Sequence, residues 1–240
     1  MKKFKERLMT AMPVIVYFIV YMTWFNYIEQ NRAAKYTVIH MNIDDKIPFC
    51  EYFIIPYLLW FIYVVAVVTY LMFTDKAGYY KNFAFLATGM TIFLLISTFW
   101  PNIQHLRPYM LPRTNIFTHM VKSLYRTDTP TNLWPSIHVY NSIGAYFGVA
   151  HNKKLGTNKY IKGSCFVLSI LIILSTVFLK QHSMFDVMTA FIMAAVIYVI
   201  VYRTELVELK ESLRYSVAFN RHFASSPAGK IHRSAQKTEP

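Results

Sequence analysis

Two histidines and an aspartate carry the chemistry that this sequence offers. His182 and Asp186 are four residues apart, so a helix beginning near His182 puts them on one face. The aspartate can then accept a hydrogen bond from one imidazole nitrogen and leave the other as a nucleophile. The run Pro135-Ser136-Ile137-His138 opens on two residues that favour helix starts, which puts His138 in a first turn. Free backbone N–H groups and the positive dipole end gather there, and both suit an anionic phosphate. Arg107 adds a planar fork matched to phosphate oxygens, and Ser175-Thr176 precede His182 by less than two turns. The competing structural role for Asp186 is a salt bridge to Lys180 or Arg107, and for Lys180 it is snorkelling toward lipid headgroups. His40, His105, His119, His151, His222 and His232 are read as surface or interfacial histidines.

The elements that must position these residues are apolar spans. Of 240 residues 55% are hydrophobic and 15% charged, and mean hydropathy is +0.31. Soluble chains carry about 25% charged residues, and a disordered chain is far less apolar, so the expectation is an all-α polytopic membrane protein. Apolar runs at 11–28, 52–73, 83–100, 163–179 and 184–202 approach bilayer length. A shorter sixth run, 137–150, carries His138, Asn141 and Ser142 on one polar face, while Gly144 and Gly148 allow a close neighbouring helix. Six helices are therefore expected over 1–203, with 204–240 as a cytoplasmic tail, amphipathic to about Phe219 and disordered beyond Asn220. No cleavage site follows the first run, so it is read as an uncleaved span.

Basic residues divide unevenly across these spans. Seventeen of the 25 Lys and Arg fall with the termini and with Lys76, Lys81 and the Lys153–Lys162 connection, and eight fall on the other side. The richer side is expected to be cytoplasmic, with both termini inside and with Arg107, His138 and His182 at the outer face of a cytoplasmic membrane. This clustering beside apolar runs accounts for the net charge of +13, and no nucleic-acid or protein partner is expected. Cys50 and Cys165 have no CxxC companion and are read as free thiols, and no internal repeat is present.

Arg107-Pro108, Pro135-Ser136-Ile137-His138 and Ser175-x6-His182-x3-Asp186 together resemble the motifs of the type 2 phosphatidic acid phosphatase superfamily, over residues from about Trp100 to Val187. The resemblance implies six helices and an active site at the outer face. It implies that His182 attacks phosphorus to give a phosphohistidine, that Asp186 orients it, and that His138 protonates the leaving oxygen and then activates water. Arg107 and Ser136 would hold phosphate oxygens, and no metal or cofactor is implied; the sequence has no carboxylate cluster for one. Two family positions differ: Trp100 stands where the first motif has Lys, and Thr176 where the third has Arg. These departures resemble the branch containing inositol phosphorylceramide and sphingomyelin synthases. Arg126 and Lys180 are the candidate replacement cations.

The expected function is hydrolysis of a phosphorylated lipid drawn from the membrane. The alternative is transfer of a phosphorylated headgroup to a lipid hydroxyl, decided by whether water or an alcohol reaches the intermediate. A transporter or non-catalytic scaffold is disfavoured, because the sequence shows no paired mid-membrane breaks or ions.

Overall fold

In a computed structural model of the chain, residues 2–31 and 33–203 are described; the tail at 204–240 lies outside them. Five helical stretches are long and apolar enough to cross a membrane: Arg7–Gln30, Glu51–Thr74, Lys76–Phe99, Lys159–Phe178 and Met184–Arg203. They correspond to helices α1 (Lys2–Gln30), α2 (Ile54–Thr74), α3 (Lys76–Phe99), α7 (Lys159–Phe178) and α8 (Met184–Tyr198), the second stretch adding a 3-10 turn at Glu51–Phe53 and the last running on to Arg203. The described residues up to Tyr198 form one compact unit, and Val199–Arg203, a short π-helical segment, falls outside it.

The remaining helices of the unit are α4 (Ile116–Thr127), α5 (Ile137–His151) and α6 (Lys153–Thr157). At 15 residues, α5 is shorter than the other apolar helices, about 22 Å against a hydrocarbon core of about 30 Å. It is also the central helix, packed against α2, α3, α7 and α8. Its glycines make that possible. A Cβ on Gly144 would lie 2.7 Å from Leu86 and 2.8 Å from the Phe85 ring, and one on Gly148 would lie 2.9 Å from Asn82. Asn82 Nδ2 donates to the Gly144 carbonyl at 2.7 Å, and the Tyr140 ring stacks on Phe85 at 4.6 Å. By contrast, α1 is peripheral, leaving Phe18, Ile19 and Val20 more than half exposed.

The sequence reading differs from the structure at several elements, α3 and α4 among them. It begins the third span at Phe83, whereas α3 starts at Lys76, where Asp75 caps it by accepting from Gly78 N at 2.8 Å. Lys76 and Lys81 thus ride on the helix, where their long stems can reach outward. It also gives no helix between the third and fourth spans, whereas α4 forms there behind a capping box of Asn115 and Thr118.

At one end of the unit three connecting segments are laced together. Thr37–Val38 (β1) pairs in parallel with Asn102–Ile103 (β2), and Ile103 bridges to Thr131. Asn102 Oδ1 accepts from Leu133 N at 2.9 Å and Trp134 N at 3.1 Å, tying the chain before α5 to the chain after α3. The turn from α7 to α8 lies at this same end, because Asp44 of the α1–α2 connection bonds directly to it.

Candidate active site

The site is assembled where α5 begins and where α7 hands over to α8. A Schellman-type ending stops α7: Gln181 N and His182 N donate to Thr176 O at 2.9 and 3.0 Å, and Lys180 N donates to Val177 O at 3.1 Å. Lys180 takes the left-handed conformation this ending requires, at φ 55°. The turn presents His182 just before α8, and Asp186 follows in the first turn of that helix.

The carboxylate fixes the imidazole. His182 Nδ1 and Asp186 Oδ2 are 3.1 Å apart, and both side chains are buried. Asp186 Oδ2 also accepts from Ser183 N at 3.2 Å and from Gln104 Nε2. An ionised carboxylate only accepts, so in the tautomer that bonds to it Nδ1 carries the proton and Nε2 keeps the lone pair. That lone pair faces His138, whose Nδ1 is 3.4 Å away. With His182 Nε2 bare, the proton between the rings belongs to His138 Nδ1. A nucleophilic nitrogen and a proton donor therefore face each other across the gap a phosphoryl group would have to enter.

His138 packs against two aromatic rings of α2. The Tyr57 ring stacks on it at 4.7 Å and 29°, and the Trp60 ring lies 4.3 Å away at 45°. Tyr57 Oη donates to Asp128 Oδ2 at 3.1 Å, and Gln181 Nε2 donates to the same oxygen at 3.2 Å. Ser142 Oγ donates to the His138 carbonyl at 2.6 Å.

Arg107 closes this polar network. Its guanidinium donates to Tyr125 O at 3.1 Å, Asp128 O at 2.7 Å and Gln181 Oε1 at 2.6 Å, and it lies 4.5 Å above the Tyr125 ring. Its Nε is buried with no partner among the described residues. Burial draws the guanidinium below its ordinary value, opposed by Asp128, Tyr125 and Tyr57, and an arginine so shifted stays charged. Ser136 is buried at the start of α5; its Oγ accepts from Val139 N at 3.4 Å, and its own N donates to Asp186 O at 3.4 Å.

The structure therefore brings His138, His182, Asp186 and Ser136 together and connects Arg107 to them through Gln181. It does not bring in the other two cations. Arg126 is exposed in the last turn of α4 and shows no hydrogen bond or ion pair among the described residues. Lys180 Nζ donates to the Asp44 carbonyl at 2.6 Å, and burial lowers its pKa against the pull of Asp44 and Asp45. The salt bridge from Asp186 to Lys180 or Arg107 is not formed, since the acid pairs with His182. Trp100 is exposed and donates to Thr37 Oγ1 at 2.9 Å, while the Thr176 hydroxyl turns back to Ile173 O at 2.7 Å. Among the described residues no group of three or more His, Cys, Asp or Glu could hold a metal ion.

Sequence reasoning missed Gln104, Tyr57, Trp60, Asp128, Gln181 and Asp44. Gln181 had a signal in its adjacency to His182; Tyr57 and Trp60 looked like packing on an apolar run.

Two facing histidines, one tied to an aspartate, thus meet where α5 begins and α7 hands over to α8. A family model described as PAP2 superfamily matches residues 82–208, more than half of the chain, and the chain belongs to that superfamily. Its members are phosphoester hydrolases or related phosphotransferases. No curated protein and no solved structure matches the chain.

Proposed function

We propose that this protein is an integral membrane lipid phosphatase working through a phosphohistidine on His182. The observation that carries the reading is the line Asp186 Oδ2, His182 Nδ1, His182 Nε2, His138 Nδ1, with separations of 3.1 and 3.4 Å. His182 Nε2 forms the N–P bond as the ester P–O bond breaks, and the leaving oxygen takes a proton from His138, which enters the step as the imidazolium and leaves it as the neutral imidazole. Asp186 stabilises the positive charge that develops on the His182 ring. His138, now a base, takes a proton from water, whose oxygen attacks phosphorus and releases phosphate as the N–P bond breaks. The 3.4 Å contact leaves no room for phosphorus, so substrate entry must part the two rings. Arg107, through its unpartnered Nε–H, and Ser136 are the proposed phosphate ligands. Arg126 and Lys180 enter that set only if they leave their present positions.

On this reading the five apolar helices and α5 make six spans, with both termini cytoplasmic and the site at the outer face of the cytoplasmic membrane. The substrate's tail stays among membrane lipids while its phosphate reaches the site. A second reading, headgroup transfer to a lipid hydroxyl as in inositol phosphorylceramide or sphingomyelin synthases, is favoured by the absence of cations at Trp100 and Thr176.

Product analysis separates the two. Purified protein in liposomes is given labelled lipid phosphates, pyrophosphates and phospholipids in EDTA, with and without diacylglycerol or ceramide. Free phosphate, lost in His182→Ala, is the expected result. A labelled headgroup on the acceptor lipid would move the assignment to phosphotransfer, and turnover surviving in His182→Ala would sink both readings.

A further inference from the structure

His182 lies in the short turn between α7 and α8, and the turn is held from outside by a residue of the α1–α2 connection. Asp44 is 2% exposed, and both of its carboxylate oxygens are used. Oδ1 accepts from Met184 N at 2.8 Å, and Oδ2 accepts from Ser183 Oγ at 2.6 Å and from Met41 N at 2.8 Å. Its carbonyl accepts from Lys180 Nζ at 2.6 Å. The residues bound to Asp44 thus flank His182 on both sides. A carboxylate on the first N–H of α8 is also favoured by the helix dipole. Lys180 is held in a left-handed conformation that is costly for a residue with a side chain, and its tether to Asp44 helps hold it there.

We propose that Asp44 is a positioning residue for phosphoryl transfer, clasping the Lys180–Met184 turn so that His182 meets Asp186 and faces His138. The proposal rests on the reading of the site given above. The link runs through Ser183, which gives its hydroxyl to Asp44 and its backbone N–H to Asp186 Oδ2. Displacing Ser183 therefore moves the carboxylate's partner and the neighbouring imidazole together. At 3.1 Å the His182–Asp186 bond is already near the long edge of its range, so a shift of a few tenths of an ångström weakens it.

Orthovanadate forms a five-coordinate adduct with a phosphatase nucleophile and needs no knowledge of the lipid, so it is the probe. Full-length protein in detergent is titrated with it by calorimetry, and thermal unfolding is recorded alongside. Asp44→Ala is expected to weaken binding about tenfold or more at unchanged stoichiometry, as a small misplacement of a reacting group does. Asp44→Asn keeps an acceptor for Met184 N and an amide N–H that the Ser183 hydroxyl can accept, but leaves Met41 N without its acceptor, and should recover part of the lost affinity. Ser183→Ala, which leaves Asp44 on Met184, should fall between the two and decides the matter if Asp44→Ala does not fold. Wild-type affinity in folded Asp44→Ala, or in Ser183→Ala, overturns the proposal. Failure of the wild type to bind orthovanadate, or undiminished binding by His182→Ala, counts instead against the phosphohistidine reading.

Discussion

Asp186 gives Oδ2 to three groups while Oδ1 is buried with no donor among the described residues, so the acid favours the His182 tautomer with the proton on Nδ1. Asp186→Asn keeps the volume but can present an N–H to Nδ1, moving the proton to Nε2 and removing the nucleophilic lone pair. We expect kcat/KM to fall on the order of 10³- to 10⁴-fold, as in hydrolytic triads altered in the same way, with the unfolding midpoint little changed. Arg107 answers differently. Three carbonyl acceptors depend on its fork, so Arg107→Lys strands at least one of them and should cost about 1–3 kcal/mol of stability even without ligand. Thermal denaturation of the ligand-free variant checks this; an unchanged midpoint would leave Arg107 with no part in the structure.

The helices test the placement of α5. Gly144→Val drives methyl groups into Leu86 and the stacked Phe85 ring, and is expected to destabilise by about 1–3 kcal/mol and to lower activity with it. Gly163 has nothing within 4 Å of a built Cβ, so Gly163→Ala in α7 should leave stability unchanged or raise it by about 0.5–1 kcal/mol. Thermal unfolding of the two variants side by side is the measurement. The apolar helices were legible because a bilayer demands length and hydropathy, and both are written locally. His182 and Asp186 were legible because an i, i+4 pair meets within one element. Helix α4 did carry a signal that the reading passed over, since Phe117, Met120, Val121 and Leu124 fall at i, i+3, i+4 and i+7, although its capping box has Thr where Glu or Gln would mark the start. Asp44, Gln104, Tyr57 and Asp128 join the residues around the histidines from distant connections and another helix, and nothing in their local sequence marks a contact made only on folding.

At the scale of the whole protein, sidedness is the open proposition. With Cys50 and Cys165 replaced by Ser, Tyr109→Cys at the site end and Lys153→Cys at the opposite end can be probed with a membrane-impermeant maleimide on intact cells. Tyr109 is fully exposed, so the cysteine there should label at once, and the cysteine at 153 only after permeabilisation. The reverse pattern would put the site on the cytoplasmic face. The central claim is covalent catalysis by His182, and trapping the intermediate tests it most directly. Protein turning over a labelled lipid phosphate is quenched in alkali, where phosphohistidine survives, and the label is mapped by mass spectrometry. The account predicts label on His182, absent from His182→Ala and persisting in His138→Ala, which can form the intermediate slowly but cannot activate water to discharge it. Product release with no labelled histidine, or label on another residue, would contradict it.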